Sequence, residues 1–197
     1  MADYKLAVIA GDGVGPEVIT EGRKVLDAVS RSNPSVTFTF TEFPWGSDYY
    51  RETGGLMPDD GIEQLAGHDV ILCCETLEHI PWIEAGQTLS RFAASAVPWL
   101  IVSVPYQGFQ FGFSLYLNRY LWRRQTFFKK FRFLSEFPAP EDDDWEPHKW
   151  EIGYRGYSVA RLRDMVTGAG YQIVRQDFTS GCRSIFLVAR NARAAGS

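Results

Sequence analysis

Cysteine is scarce in this sequence, and its placement excludes two common ways of stabilising a small protein. The chain has three cysteines, of which Cys73 and Cys74 are adjacent within an apolar run and Cys182 lies far away. An odd number cannot form a fully paired disulfide framework, and no cysteine has a partner cysteine or histidine at zinc-site spacing. We therefore expect free, buried thiols and predict no metal site.

Long apolar runs and strong net charge are also missing. No uninterrupted apolar stretch reaches about 18 residues, and the N-terminus lacks the basic and then apolar layout of a signal peptide. The net charge is -4, and apolar and charged residues make up 45% and 22% of the 197 residues. These features favour a cytoplasmic protein with one globular domain over residues 1–197, and they predict no nucleic-acid partner.

Short apolar runs typical of buried strands alternate with amphipathic segments. The first run, residues 5–10, ends at glycines, and Pro16 then opens a segment with apolar residues at helical spacing. The alternation predicts an α/β fold, a Rossmann-like doubly wound and mostly parallel sheet that ends in an antiparallel hairpin. Further strands are predicted at 36–43, 69–74, 99–105, 171–179 and 184–190, and further helices at 58–65, 83–96 and 155–168.

Residues 106–154 show no clear strands, and a segment of this length is typical of a functional insertion or cap. Basic and aromatic residues are interleaved in it, and the acidic stretch 141–146 follows. We predict a helical insertion that acts as a lid on an anionic substrate, with a plain cap helix or a membrane-surface contact as alternatives. Its basic residues are Arg119, Arg123, Arg124, Lys129, Lys130 and Arg132.

The first third of the chain carries a specific signature. Residues 4–18, YKLAVIAGDGVGPEV, resemble the opening of the isopropylmalate, isocitrate and tartrate dehydrogenases, and the resemblance continues through EFPWGSDYY at 42–50 and MPDD at 57–60. In that family, catalysis depends on an arginine cluster, a tyrosine and lysine pair and metal-binding aspartates. These do not follow here, and the run of aspartates at 142–144 is interpreted as a solvated loop. We therefore do not expect dehydrogenase activity.

The remaining two thirds resemble a different family. DVILCCETLEHI at 69–80 is similar to the fourth strand and following loop of class I S-adenosylmethionine-dependent methyltransferases. IVSVP at 101–105, HKWEIG at 148–153 and AGYQIV at 169–174 follow in that family's order. Joining segment 1–70 to segment 69–191 at the shared strand gives the sheet order 2-1-3-4-6-5. We interpret the sequence as an engineered chimera.

A cofactor site is predicted where the first two strands end. Gly11, Gly13 and Gly15, with Asp12 between the first two, lie between a strand and a helix, where backbone can approach a ligand closely. Glu42 ends the second strand, where a carboxylate commonly accepts hydrogen bonds from ribose hydroxyls. We expect S-adenosylmethionine there, with NAD less favoured and Cys74 also in the site. An alternative of equal weight is that the glycines serve only to turn the chain and that Glu42 is an ordinary solvated residue at the end of a strand.

Three polar residues directly follow the third strand. Glu75, Glu78 and His79 occupy the lip where, in the methyltransferase family, methyl donor and acceptor meet. Methyl transfer to oxygen or nitrogen requires removal of a proton, so one of them is predicted to be a general base. The alternative for His79 is a residue at a helix start that touches solvent. Cys73 and Cys74 are interpreted as core residues and not as nucleophiles.

Three functions are therefore predicted for the whole chain. The first is a chimeric scaffold without catalytic activity or cofactor, and the second is an S-adenosylmethionine-binding methyltransferase-like domain whose partner is a small nucleotide-type ligand. The third is a membrane-surface or lipid-facing module that uses the basic aromatic insertion.

Overall fold

The structure is a computed structural model that describes residues 1–11, 13–117, 125–133, 137–138, 148–179 and 183–194. Asp12 and Cys182 lie outside the described residues, as do Arg119, Arg123, Arg124 and the acidic stretch 141–146. No described helix combines the length and the apolar character needed to cross a membrane.

Six strands form one sheet in the order β2-β1-β3-β4-β8-β7. The first four strands are parallel, and β8 pairs antiparallel with both β4 and β7. The prediction counted only the six strands of this sheet, so its fifth and sixth strands are β7 and β8. With that numbering the predicted order 2-1-3-4-6-5 is confirmed, and so is the C-terminal antiparallel hairpin. The strands are β1 Ala2–Ile9, β2 Val36–Glu42, β3 Val70–Cys74, β4 Trp99–Pro105, β7 Tyr171–Phe178 and β8 Ser184–Asn191.

The predicted helices are present, with small differences at their ends. The last helix begins at Val159 and not at residue 155, because the Ser158 side chain caps it by accepting a hydrogen bond from the Arg161 backbone N–H at 3.2 Å. One further short helix follows the second strand. The helices are α1 Gly15–Ser32, α2 Ser47–Thr53, α3 Gly61–Leu65, α4 Trp82–Ala94 and α5 Val159–Gly168, and a 3-10 turn, η1, spans Leu77–His79.

The prediction of a helical insertion without strands is wrong for the described part of residues 106–154. Two strands, β5 Phe109–Leu117 and β6 Gln125–Phe133, pair antiparallel as a separate two-stranded sheet. In β5, apolar residues recur at every second position from 109 to 117, and this period of two is typical of a strand and not of a helix. Lys129, Lys130 and Arg132 therefore belong to a strand.

The two faces of the six-stranded sheet are covered to different extents. Helices α3, α4 and α5 cover one face, where the inward residues of β3, β4 and β8 are fully buried; these include Ile71, Leu100 and Leu187. On the other face α1 covers β1, so that Leu6 and Val8 are buried. Further along that face Trp99 is 37% exposed and Ile101 and Val188 are only partly buried. Most of the buried apolar surface therefore lies on the α3–α5 face.

Arg91 on α4 connects the two predicted segments of the chain. Its guanidinium donates to the backbone carbonyls of Met57 at 3.2 Å, Pro58 at 2.5 Å and Asp59 at 3.2 Å. Hydrogen bonds from a charged donor are stronger than neutral ones, and a partly buried carbonyl that loses its donor incurs a desolvation cost. Arg91 thus fixes the loop before α3 against α4.

We expect Arg91→Ala to lower the free energy of unfolding by about 2 kcal/mol, since three carbonyls lose a charged donor at once. Urea denaturation followed by circular dichroism measures this change. Arg31→Ala, at an exposed position in the last turn of α1, is the matched control and should cost clearly less. Equal losses in the two variants would contradict the role assigned to Arg91.

Candidate functional site

The loop after β1 packs directly on the loop after β3. Gly11 and Gly13 have positive φ values of +60° and +62°, which glycine adopts without steric cost. A Cβ atom on Gly11 would lie 2.4 Å from Thr76 Oγ1 and 2.9 Å from the Glu75 carbonyl oxygen. Gly11 is therefore required for this close approach of two loops.

A cavity of about 570 Å³ opens at the carboxyl ends of β1 and β2. Glu42 lines it together with Gly11, Arg23, Trp45 and Tyr49. The Glu42 carboxylate accepts from the Arg23 guanidinium at 2.8 Å, and the same guanidinium stacks over the Phe40 ring at 4.5 Å. Of the predicted cofactor residues, Gly11 and Glu42 are thus brought together at one cavity.

The other described cofactor candidates lie outside the cavity wall. A Cβ on Gly15 would lie 1.7 Å from the Ala10 carbonyl oxygen and 2.9 Å from that of Cys74, so this glycine permits backbone packing. The Cys74 side chain is buried in the smaller core cluster, on the α1 side of the sheet. Burial raises the pKa of the Cys74 thiol to about 12, although a hydrogen bond with Ser103 lowers it in part. Burial also raises the pKa of the Cys73 thiol. Both thiols are therefore protonated core groups, as predicted.

Glu75 follows β3 in an unusual backbone conformation. Its φ is +51°, and it is one of two residues other than glycine with positive φ in the described chain. The side chain is 5% exposed, and its Oε1 accepts a hydrogen bond from Ser103 Oγ at 2.6 Å. Burial raises the pKa of Glu75, although hydrogen bonds with Ser103 and Ser184 oppose that effect. A strained, buried carboxylate at the carboxyl end of a strand is a typical feature of a functional site.

Glu78 and His79 lie in η1, which begins two residues after Glu75. Glu78 is fully buried, and neither of its carboxylate oxygens has a hydrogen-bond partner among the described residues. Burial, and next the charge of Glu75, raise its pKa well above the usual range. His79 is only 6% exposed, so the alternative of a solvent-facing histidine at a helix start is wrong.

Two further polar residues, not singled out from the sequence, join this group. His148 Nδ1 lies 2.6 Å from Glu151 Oε1, and the His148 ring meets the His79 ring edge-on with centroids 4.9 Å apart. Burial alone would raise the pKa of Glu151, but hydrogen bonds from His148 and Gln107 lower it. An ionised Glu151 can only accept, so Nδ1 of His148 carries a proton, and in the neutral imidazole Nε2 is then the acceptor.

Backbone contacts hold these residues in place. The Lys149 N–H donates to the Glu78 carbonyl at 2.7 Å, and Trp150 Nε1 donates to the Ile80 carbonyl at 2.9 Å. Trp150 is fully buried against the Trp82 ring. Segment 148–151 is therefore fixed against η1. A signal for it existed in the sequence, because His148 is one of three histidines and precedes Glu151 by three residues.

Comparison by sequence matches only the first part of the chain. The family model for isocitrate/isopropylmalate dehydrogenase matches residues 5–91. A probable tartrate dehydrogenase/decarboxylase of Agrobacterium vitis is 46% identical over 71 residues, which are 36% of this chain and 20% of the relative. A 3-isopropylmalate dehydrogenase of Mycolicibacterium vanbaalenii is 56% identical over 68 residues, 34% of this chain and 19% of the relative. The chain thus spans about a fifth of these relatives, and the resemblance of the first segment is confirmed.

Comparison of structures finds methyltransferases. The mitomycin 7-O-methyltransferase MmcR has a TM-score of 0.49 and 18% identity, with 96% of this chain and 49% of that chain covered. Magnesium protoporphyrin IX methyltransferase from Synechocystis PCC 6803, solved with bound SAM, has a TM-score of 0.48 and 18% identity, with 96% and 71% covered. By sequence, the chain is thus similar to the dehydrogenase family over residues 5–91. Glu75, Glu78 and His79 lie inside the dehydrogenase match as well.

The raised pKa of Glu75 predicts a specific pH dependence of stability. The folded protein binds this proton more tightly than the unfolded chain, so stability is lost as the pH rises from the unfolded pKa through the folded pKa. As the pH rises from the unfolded pKa of about 4 through the raised folded pKa, Glu75→Gln should therefore become progressively more stable relative to the parent protein. Urea midpoints at constant ionic strength measure the difference. Glu63→Gln, at an exposed position of α3, should show a smaller change, and a pH-independent gap for Glu75→Gln would contradict the assignment.

Proposed function

We propose that this chain is a methyltransferase-like domain that binds S-adenosylmethionine at the Gly11 and Glu42 cavity and presents an acceptor to Glu75. The observation that carries the proposal is the strained, buried Glu75 carboxylate beside the Gly11 loop. The carboxyl ends of strands near a switch in strand order are where open α/β sheets bind ligands. The resemblance of residues 69–191 to methyltransferases supports the same reaction.

The proposed chemistry requires one base. A lone pair on an acceptor oxygen or nitrogen forms a bond to the methyl carbon, the carbon–sulfur bond of the sulfonium breaks, and the acceptor loses a proton. A carboxylate with a raised pKa accepts that proton better than an ordinary solvated one. Glu75 fits this role because Ser103 and Ser184 hold its side chain. The methyl acceptor in this proposal is a small molecule.

The cavity supplies the features that an adenosine group needs. The Glu42 carboxylate can accept hydrogen bonds from the two ribose hydroxyls when its ion pair with Arg23 is broken. This ion pair is exposed and therefore contributes little stability. The rings of Phe43 and Trp45, 4.4 Å apart between centroids, lie in the wall and offer stacking surfaces for the base. About 570 Å³ is within the range of small-molecule sites. Gly11 belongs to the cavity and also contacts the Glu75 backbone, which links the two halves of the proposed site.

The second candidate is a folded scaffold of engineered origin without ligand. The contact of Gly11 with Thr76 and Glu75 favours it, since protein atoms fill the space between the β1 and β3 loops, where a cofactor would otherwise lie. In this reading the dehydrogenase-like and methyltransferase-like segments are compatible as structure, while each lacks part of its family's site.

Isothermal titration calorimetry with S-adenosylmethionine, S-adenosylhomocysteine and NAD tests the proposal. Saturable heat is expected with the first two ligands, and Glu42→Ala should weaken both affinities by about tenfold or more because two charge-assisted hydrogen bonds are lost. Glu75→Gln should bind the ligands as the parent does. Glu21→Ala removes an exposed carboxylate of α1 that is not in the cavity wall and serves as the matched control.

The two candidates give opposite results in this experiment. Absence of heat with all three ligands, in a protein that unfolds cooperatively, would reject the cofactor site and leave the scaffold. Heat with NAD alone would reject the methyltransferase-like function in favour of the dehydrogenase-like segment. Heat that persists unchanged in Glu42→Ala would place the ligand elsewhere and reject the role of Glu42.

A further inference from the structure

We propose that Glu78, His79 and His148 form a binding site for one divalent ion of the first transition row. One ligand atom from each of these side chains lies within 4.8 Å of the other two. The ligands come from η1 and from segment 148–151, which the fold brings together beyond the end of β3. Cysteine spacing gave no reason to expect such a site, since none of its ligands is a cysteine.

The first reason is the state of Glu78. The residue is fully buried, and both carboxylate oxygens are without a hydrogen-bond partner among the described residues. Burying an uncompensated carboxyl group is costly, and buried carboxylates are normally paired with a cation or coordinate a metal. Imidazole nitrogens of His79 and His148 lie within 4.8 Å of the Glu78 carboxylate. A metal ion between the three groups would provide the missing partner.

The second reason is the orientation of His148. Its Nδ1 lies 2.6 Å from Glu151 Oε1, and when Nδ1 of the neutral ring donates to that carboxylate, Nε2 has a lone pair for a metal ion. Metal-binding histidines usually donate their other ring N–H to a carboxylate or carbonyl, which fixes the ring and strengthens the ligand. Glu151 is thus a positioning residue for His148. The edge-on arrangement of the His79 and His148 rings brings a second imidazole to the same point.

The third reason is that the site is held in place before any ion arrives. The Lys149 N–H to Glu78 carbonyl bond and the Trp150 Nε1 to Ile80 carbonyl bond fix segment 148–151 on η1. The His148 side chain is 28% exposed, so an ion can enter from solvent at that ligand. Around a bound ion with metal–ligand bonds of about 2.1 Å, the ligand atoms are about 3.5 Å from one another. The three ligand atoms now lie within 4.8 Å of one another, so side-chain movements of roughly 1 Å would complete the site.

The ligand set selects the kind of ion. Two imidazoles and one carboxylate suit Zn²⁺, Co²⁺, Mn²⁺, Fe²⁺ and Ni²⁺, whereas Mg²⁺ and Ca²⁺ prefer all-oxygen ligands. Three protein ligands leave at least one coordination position for water or for an oxygen of a bound molecule. The site exists independently of the proposed cofactor cavity, because none of its three ligands lines that cavity.

A cobalt titration of the full chain, after treatment with a chelator, tests this proposal. We expect visible absorption bands that saturate at one equivalent of Co²⁺ and disappear when Zn²⁺ is added, together with a higher melting temperature than equal Mg²⁺ produces. His148→Gln and Glu78→Gln should each weaken Co²⁺ binding by about tenfold or more, and Glu151→Gln should weaken it and change the band pattern. His68→Gln, whose ring nitrogen bonds the Leu65 carbonyl away from this cluster, should bind as the parent does.

Three results would overturn the proposal. One is the absence of cobalt bands and of any melting shift in the parent protein. Another is equal affinity in the parent and in His148→Gln, a variant at a partly exposed position whose fold circular dichroism verifies. The last is a loss of affinity in His68→Gln as large as in His148→Gln, which would show binding at other surface groups.

Discussion

The pairing of β1 with β3 is the constraint on which the rest of the molecule depends. The strands run parallel with Leu6 opposite Val70 and Ile9 opposite Cys73, so the residues that follow each strand emerge side by side. A shift of one residue would turn the apolar side chains of β3 to the opposite face of the sheet and separate Gly11 from Thr76. The register thus determines both the buried core and the contact between the two loops. The proposed join between two families lies within the strand that makes this pairing.

The polar cluster beyond β3 destabilises the fold, and the burial of the apolar side chains beside it offsets this loss of stability. Leu77 and Ile80, which flank Glu78 and His79, are fully buried in the larger cluster with Phe92 and Trp150. Each fully buried large side chain of this kind contributes about 1.5–3 kcal/mol, which is of the same size as the cost of a strained backbone or an unpaired polar group. Such a cluster can be kept only where packing is dense. The ionisable groups of this cluster accordingly lie beside the larger core cluster.

The sequence predicted the framework of the sheet better than the details of the site. Strands β1, β3 and β4 are continuous apolar runs, and their period and length leave little ambiguity. The basic and aromatic composition of residues 106–154 does not indicate β5, which only the position-by-position alternation of apolar residues from 109 to 117 predicts. Glu75, Glu78 and His79 were placed correctly after β3, since sequence order alone brings them there. His148 and Glu151 come from a distant segment, and only the tertiary contacts through Lys149 and Trp150 join them to η1.

The two proposed sites share no lining residue, although both lie beyond the carboxyl ends of parallel strands. The Glu42 cavity is lined by Val8 and Ile19 of the smaller core cluster and also by Trp45 of the larger one. The Glu78 cluster is built into the dense α3–α5 face. The backbone around the Glu78 cluster is fixed by hydrogen bonds from Lys149 and Trp150, whereas the Glu42 carboxylate is exposed and paired with Arg23. Gly11 lines the cavity and also contacts Thr76 and Glu75, so a side chain at that position would disturb the cavity and the loop that carries Glu75 together.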